Sequence, residues 1–465
     1  MEPQESQRTL IDPMRPFSES KLWDLQQAYY QEEGIKAFSS QQVPHYITNS
    51  PQTAKHYAEM VFGFLRDLGR QGQDHETVYL VELGAGPGKL CHHFLHYFNR
   101  FLSQTPEAIP PFTYVLTDLP GTNLEFWRSH PRLKEFVKKG ILDFAEFNAV
   151  EDDKIHLLES GKTLEAGCCQ QPLIVIANYF FDVLPQELVY IESGSSYQVT
   201  LSLSTDQDPA TLTTGQLLPH LELKYGYDLL DKSRLPESMV TLLQQYETVL
   251  NESHVLLPHV GIACMERLEK ISPEGLLILT GDKGITQLKD LDQLDEPELV
   301  LHGSASFYLN FQALGAHCLH KNGRTFLPAK HKFNLIIGAF LFAENPVLFP
   351  SFARAYEQWV SHFGPDESYI VKRVLEKGFD DAELEEMIAL LRYFLHDAKI
   401  FQALYSSLEA CIPNLNDKGK DVLTSELLQV WDNYYALDEE EGIEPALKKL
   451  LLDLGHSETL MTTFP

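Results

Sequence analysis

Apolar positions along this chain recur with two different periods, and the change of period divides the sequence. Near the N-terminus the spacing is helical. Leu22, Leu25, Ala28 and Tyr29 share one face of Ser18–Gly34, and Tyr57, Met60, Val61, Phe64 and Leu65 form the stripe of Thr53–Leu68. A polar loop carrying Val43-Pro44-His45-Tyr46-Ile47-Thr48-Asn49-Ser50-Pro51 separates the two. From Val78 onward, short apolar runs alternate with helical stretches. The runs are Val78–Leu83, Phe112–Asp118, Phe144–Asn148, Leu173–Ala177 and Leu276–Thr280; Leu90, Phe94, Phe98 and Leu102 mark one helix and Asn123–Lys139 another. Such alternation predicts an α/β fold with a doubly wound, mostly parallel sheet. Between the fourth and fifth runs, Leu188–Gly275 reads as an insertion. Val189, Ile191, Tyr197, Val199 and Leu201 alternate around Ser193-Gly194-Ser195-Ser196 as in a β-hairpin, and Pro236–Leu250 is helical. Beyond Phe352 strand signals cease. Helical patterns run through Glu383–Leu395, Ala398–Leu408, Ser425–Leu437 and Pro445–Leu454, with acidic loops such as Asp438-Glu439-Glu440-Glu441. The division expected is an N-terminal helical lid region over 1–75, an α/β domain over 76–350 with its insertion at 188–275, and an all-α domain over 351–465.

The richest local pattern is Val78-Tyr79-Leu80-Val81-Glu82-Leu83-Gly84-Ala85-Gly86-Pro87-Gly88-Lys89-Leu90. A buried strand ends in a carboxylate, and alternating glycines open a helix. Gly84, Gly86 and Gly88 permit a sharp turn and let a ligand press against the main chain. A dinucleotide fingerprint has G-x-G-x-x-G spacing and grips pyrophosphate. Here the spacing is G-x-G-x-G, and Glu82 stands where it would repel phosphate. A carboxylate there suits a cofactor with an amino-acid tail, whose ammonium group it binds by charged hydrogen bonds. S-adenosylmethionine has that shape. The competing reading is a glycine loop kept for tight packing.

Composition narrows the partners. The chain has 465 residues, with 37 basic against 66 acidic side chains and a formal charge of −29. That field repels phosphate backbones and anionic lipid heads, so neither nucleic acid nor a membrane surface is an expected partner. A basic protein or peptide is favoured. The start Met1-Glu2-Pro3-Gln4-Glu5 lacks the character of a leader, and Phe333–Ala343 is too short an apolar run to span a bilayer. The six cysteines show no C-x-x-C spacing and read as reduced thiols, so a cytoplasmic location is expected and no metal site. His92, His93 and His96 lack the H-E-x-x-H pattern and read as packing residues. His302, beside Gly303-Ser304, follows the fifth run and is a further polar candidate.

Several segments together resemble one family. Ala177-Asn178-Tyr179-Phe180-Phe181-Asp182-Val183-Leu184-Pro185 is similar to an N-E-F-F-D-A-L-P segment, and Glu82–Gly88 to E-L-G-x-G-x-G. Tyr46–Pro51 looks like a T-S-P segment, Asp282-Lys283-Gly284 like D-Y-G, and Asn310-Phe311 with Ala313-Leu314 like D-F-x-A-L. These are features of the MidA-like class I methyltransferases, which include the mitochondrial complex I assembly arginine methyltransferase. The resemblance extends in patches over residues 20 to 345.

It implies a Rossmann-like class I methyltransferase using S-adenosylmethionine, with protein arginine as acceptor. In that fold the cofactor is held at three strand ends. Glu82, Gly84, Gly86 and Gly88 would meet its methionine part, Asp118 its ribose and Asn148 its adenine. For Asp118 the alternative is a helix N-terminal role before Pro120. Asp182 is the expected base for a guanidinium acceptor, and Asn178 either lines the methyl channel or caps the strand end. Tyr179 departs from the family's glutamate; with Phe180 it would wall an aromatic pocket, and Glu187 and Asp282 are substitute carboxylates. Two other functions compete: a cofactor-binding assembly or scaffold factor with vestigial catalysis, whose helical domain binds a partner, and a small-molecule methyltransferase.

Overall fold

The computed structural model describes residues 8–39, 46–105, 107–119, 121–302, 304–437, 442–457 and 460. The N-terminal Met1–Glu5, the loop residues Val43-Pro44-His45, Pro120, Gly303 and the acidic Asp438–Glu441 lie outside the described residues.

Seven strands form the central sheet, and we number them in chain order: β1 (Val78–Glu82), β2 (Phe112–Asp118), β3 (Leu142–Glu146), β4 (Leu173–Ile176), β5 (Leu276–Asp282), β6 (Arg324–Phe326) and β7 (Ile336–Phe342). Their order across the sheet is β6-β7-β5-β4-β1-β2-β3. β1 through β5 pair in parallel, while β7 runs antiparallel to both β5 and β6. The doubly wound, mostly parallel sheet expected from the alternation is present. Near-continuous apolar runs suit its buried middle strands: every residue of β4 and of β7 is buried. After β3 the chain returns past β1 to lay down β4 on its other side. The switch point therefore falls between β1 and β4, and in such sheets ligands bind outside the carboxyl ends at that place.

A second sheet is built largely from the insertion. Glu187–Glu192 and Ser195–Thr205 form the expected hairpin, turning at Ser193-Gly194, and Glu252–Leu257 and Leu221–Leu229 flank it. The helix at 236–250 is found as Glu237–Val249. The N-terminal region is not wholly helical, as expected from its periodicity. It opens with the strand Thr9–Pro16, antiparallel to Ser195–Thr205 with register shifts around Asp12. Pro13 and Pro16 hide it, because proline is tolerated only at edges and bulges and reads as loop. The helix Lys21–Glu33 follows, capped by the Ser20 hydroxyl accepting from Leu22 N–H at 3.2 Å. Its Leu22, Trp23 and Tyr29 join Leu188, Val199, Leu201 and Leu256 in a core of their own.

Two smaller corrections concern boundaries. The expected helix at 123–139 is two, Gly121–Ser129 and Pro131–Lys138, broken at Pro131. β3 lies two residues earlier than its expected position at 144–148 because Asp143 is inside it. Its carboxylate accepts N–H groups of Phe144, Glu159 and Ser160 at 2.8, 2.8 and 3.0 Å, which makes a mid-strand charge tolerable.

By internal contacts the chain forms two units. One gathers Met1–Pro44, Asp67–Gly86 and Ala108–Pro350; the other His45–Arg66, Pro87–Glu107 and Ser351–Pro465. Both sheets belong to the first. The second is helical, and its core includes Met387, Leu391, Phe401, Leu404, Leu427 and Leu447 from four helices, Leu384–Tyr393, Ala398–Cys411, Asp417–Asn433 and Glu444–Asp453. His92 and His93 are buried within this second unit, where His93 Nδ1 lies 3.2 Å from Asn433 Oδ1. Among the described residues no helix is long and apolar enough to cross a membrane.

Candidate functional site

The carboxyl ends of β1, β2, β4 and β5 extend beyond the strands by further main-chain bonds. Leu83 N–H donates to Ile176 O at 2.8 Å, Ala85 N–H to Thr117 O at 3.0 Å, Ala177 N–H to Leu279 O at 2.9 Å and Tyr179 N–H to Gly281 O at 2.8 Å. These bonds fix four loops side by side at the switch point.

In the first loop Gly84, Gly86 and Gly88 all have positive φ, of 61°, 53° and 73°. A Cβ at Gly84 would stand 2.9 Å from the Phe180 ring, and one at Gly86 would stand 2.8 Å from the Phe38 ring. Side chains are excluded from this turn twice, by conformation and by space. Gly88 is the left-handed residue preceding the helix Lys89–Gln104. The Gly86 N–H donates to Asp118 Oδ2 at 2.8 Å, and its carbonyl accepts the Trp127 indole N–H at 2.9 Å.

Glu82, the last residue of β1, is buried and accepts the Tyr114 hydroxyl at 2.7 Å. Burial pushes its carboxyl up to about 8; the Tyr114 bond opposes that shift and the Asp118 charge adds to it. Asp118 ends β2 with both oxygens engaged: Oδ2 also accepts from the Asn123 amide at 2.9 Å, and Oδ1 from Leu119 N–H at 2.8 Å. Burial raises it too, against those three donors. Asn148 lies two residues past β3 and closes a local turn, its Oδ1 accepting Val150 N–H at 3.0 Å. Its backbone N–H donates to Asp152 at 2.6 Å.

After β4, Asn178 and Tyr179 are half-buried, and Tyr179 has a φ of 49°. Left-handed backbone is uncommon for an aromatic residue and is held here by the bond to Gly281. Asp182 sits in the single 3-10 turn Phe181–Val183. Its carboxyl interacts electrostatically with that of Asp282, the last residue of β5. Both carboxyls are buried. Burial pushes Asp182 up to about 7, opposed by the Asp282 carboxyl and by the Lys283 charge. Asp282 is raised well above the ordinary carboxylate range by burial and then by Asp182. Its Oδ1 accepts Lys283 N–H at 2.8 Å.

Residues 58–282 match a family model described as "Putative S-adenosyl-L-methionine-dependent methyltransferase". That span contains every strand-end residue just named. The cofactor expected from the glycine turn is also the cofactor of the matched family. No curated protein matches the chain. Among solved structures, an uncharacterized protein from Burkholderia thailandensis is 14% identical, with 68% of this chain and 74% of that one covered and a TM-score of 0.41. A second Burkholderia thailandensis structure, bound to S-adenosyl-homocysteine, is also 14% identical, with 78% and 84% covered and a TM-score of 0.44.

The methyltransferase match thus covers the strand ends, with Glu82, Gly84, Gly86 and Asp118 on one side of the switch point and Tyr179 and Asp182 on the other. Glu187 is not among them: it is buried at the start of Glu187–Glu192, accepting the Ser18 hydroxyl at 2.8 Å. Four contributors escaped the reading of the sequence, as did the meeting of Asp282, a named candidate, with Asp182. Tyr114 pairs in register with Leu80, which makes it the diagonal neighbour of Glu82, so the strand pairing was the signal to use. Asn123 follows Asp118 at helix-cap distance. Phe38 and Trp127 reach Gly86 by tertiary packing, and the pairing of Asp282 with Asp182 depends on the β4–β5 register. His302 lies in the short strand Val300–His302.

Proposed function

We propose that this chain is an S-adenosylmethionine-dependent methyltransferase of the MidA-like kind that modifies a protein side chain, arginine first among them. The observation that carries this reading is that the match to the family described as "Putative S-adenosyl-L-methionine-dependent methyltransferase" falls on a left-handed glycine turn beside the buried Glu82 carboxyl. Such a turn accepts a ligand at main-chain distance. No phosphate is favoured beside the buried Glu82 carboxyl, whereas an arriving ammonium group would draw the proton off that carboxyl and pair with it. Asp118, pre-oriented by Gly86, Leu119 and Asn123, is the acceptor for ribose hydroxyls, and Asn148 the polar group for the adenine edge.

When bound, the cofactor supplies an electrophilic methyl group on a sulfonium. The chain's own residues then align and deprotonate the acceptor. Asp182 orients a cationic nitrogen and takes its proton, with Asn178 and the Tyr179 ring lining the approach. A carboxyl titrating near neutral pH suits that task. Phe38, stacked at 6.5 Å on Tyr30, covers the glycine turn and serves as the contact of an N-terminal lid. The charge of −29 favours a basic protein partner, and the helical unit offers a further surface for one.

Titration calorimetry with S-adenosylmethionine and S-adenosylhomocysteine tests the reading. Saturable micromolar binding of both is expected; no heat from folded, ligand-free protein would remove the enzyme reading. One observation keeps a second function in view. Tyr179 replaces a carboxylate that the resembling family uses, and its hydroxyl is a poor base at neutral pH. A chain that binds the cofactor yet transfers no methyl group to any basic protein would be an assembly factor instead.

A further inference from the structure

One end of the second sheet carries aromatic side chains that its own core does not cover. Register places Leu229, Tyr197, Tyr190 and His254 in one row across Leu221–Leu229, Ser195–Thr205, Glu187–Glu192 and Glu252–Leu257. Directly paired residues share a face, as do residues two apart along a strand. On that face Val199, Leu188 and Leu256 lie two residues further in and share a core with the helix Lys21–Glu33. At the row the cover ends: Tyr227 is 44% and Leu229 79% exposed, and Tyr190, Tyr197 and His254 are half-buried. The rings hold one another. Tyr190 lies 4.6 Å from His254, 5.3 Å from Tyr227 and 6.1 Å from Tyr197, centroid to centroid. The imidazole is fixed at both nitrogens, Nδ1 at 3.1 Å from Leu294 O and Nε2 at 3.0 Å from the Tyr227 hydroxyl.

Carboxylates rim these rings. Glu192 and Glu252 stand directly opposite each other two residues beyond Tyr190 and His254, on the same face. Like charges so placed destabilise a sheet. The Tyr190 hydroxyl donates to Glu252 at 3.0 Å, and the Tyr227 hydroxyl donates to Glu296. All three acids are exposed. Among the described residues no lysine or arginine pairs with any of them, and Lys232, the first cation after Leu229, is taken by Glu247 at 2.5 Å.

We propose that this end of the second sheet is a docking surface for an arginine-bearing basic segment of a protein partner. A guanidinium is planar and weakly hydrated, so it stacks on a tyrosine face while its N–H groups reach the carboxylates of the rim. The compact, strongly hydrated ammonium of lysine gains less there. A second copy of this chain is repelled, because each copy carries a charge of −29. The place also suits a substrate. Eight residues of chain lead from Asp182 to Tyr190, so the two lie within about 29 Å of each other, a span that an extended segment of about ten residues covers. That the partner is the methyl acceptor rests on the methyl-transfer reading above; the binding itself does not.

Fluorescence anisotropy of a labelled peptide of alternating arginine and glycine, titrated with the full chain, tests the surface. Micromolar, salt-sensitive binding is expected, with the matching lysine–glycine peptide about fivefold weaker. The double variant Glu192→Gln/Glu252→Gln and the single variant Tyr227→Ala should each weaken the arginine peptide by about fivefold or more. Asp417→Asn/Asp421→Asn removes two exposed charges from the helical unit and should alter binding by less than about twofold. Thermal melts supply a readout that a purely structural role would not give: Glu192→Gln should melt slightly higher than the parent while binding less, because the opposed charge is gone. Absence of binding by the folded parent overturns the proposal, as does an equal loss in Asp417→Asn/Asp421→Asn. Equal affinity for the lysine peptide overturns the assignment to arginine. Self-association in sedimentation velocity that Tyr227→Ala abolishes would make a second copy the occupant and overturn it too. A parent that binds the peptide here and transfers no methyl group sinks the proposed function and leaves the docking surface standing.

Discussion

Buried carboxyl groups are treated in opposite ways in the two units. At the strand ends Glu82, Asp118, Asp182 and Asp282 sit in apolar surroundings with hydroxyl, amide and carboxyl partners, and all four are raised above their ordinary range. In the helical unit Glu426 is equally enclosed, yet Arg392 at 2.6 Å and His396 at 2.6 Å hold it below that range. A fold under selection for stability alone pairs its buried acids with cations, because an uncompensated buried charge costs several kcal/mol. At the strand ends the hydrogen-bond partners of the acids are uncharged groups, and the cation acting there is Lys283, near Asp182. On the proposed reading Glu82 and Asp182 would receive a positive charge that arrives with a ligand, and Asp118 the hydroxyls of its ribose.

The largest expected break in that contrast is Asp182→Asn. Methyl transfer should fall by about a hundredfold or more, in the range typical of losing a general base, while calorimetric affinity for S-adenosylmethionine stays within about threefold. Unchanged turnover would remove Asp182 from the chemistry. The corresponding change in the helical unit, Glu426→Gln, should leave turnover alone.

Stability should sharpen the comparison through pH. Asp182 and Glu82 have folded pKa values raised to about 7 and about 8, so the folded chain keeps protons that the unfolded chain has released. Their contribution is complete below about pH 4 and is lost as pH rises through those values. Glu426 works in reverse: its stabilisation is present above the ordinary carboxylate range and disappears as pH falls through its lowered folded value. Urea midpoints at pH 5 and pH 8.5 measure both. Asp182→Asn should be more stable than the parent at pH 8.5 by on the order of 1–3 kcal/mol and nearly equal at pH 5. Glu426→Gln should be less stable at both, by a few degrees in melting temperature. Equal pH slopes for parent and Asp182→Asn would refute the contrast.

Phe38→Ala is the mildest test. Removing the ring that covers Gly86 should speed cofactor exchange a few-fold in stopped-flow displacement, with little change in melting temperature. An unaltered exchange rate would deny Phe38 its covering role.

The sequence showed the first five core strands and the glycine turn because each apolar run is bounded by turn residues or a terminal carboxylate. Ile336–Phe342 escaped, since seven consecutive apolar residues carry no period with which to tell a strand from a buried helix. Thr9–Pro16 escaped behind its prolines. Asp182 stood out through a local pattern, whereas its pairing with Asp282 depends on a strand register that no local pattern encodes. Tyr179 is visible as a departure from glutamate, but its left-handed backbone is not, because nothing next to it in the chain requires that conformation.

The insertion between β4 and β5 has a consequence for how the chain assembles. Asp182 leads into it and Asp282 comes after it, so the second sheet and the helices Glu237–Val249 and His259–Ile271 are all synthesised before the fifth strand can close beside the fourth. Contacts so distant in sequence form late, after the entropy of a long loop has been overcome or the loop has folded by itself. Asp282 therefore joins the other strand-end carboxyls only with the final closure of the sheet. Until then a nascent chain holds the glycine turn and Asp182 without the carboxyl of Asp282.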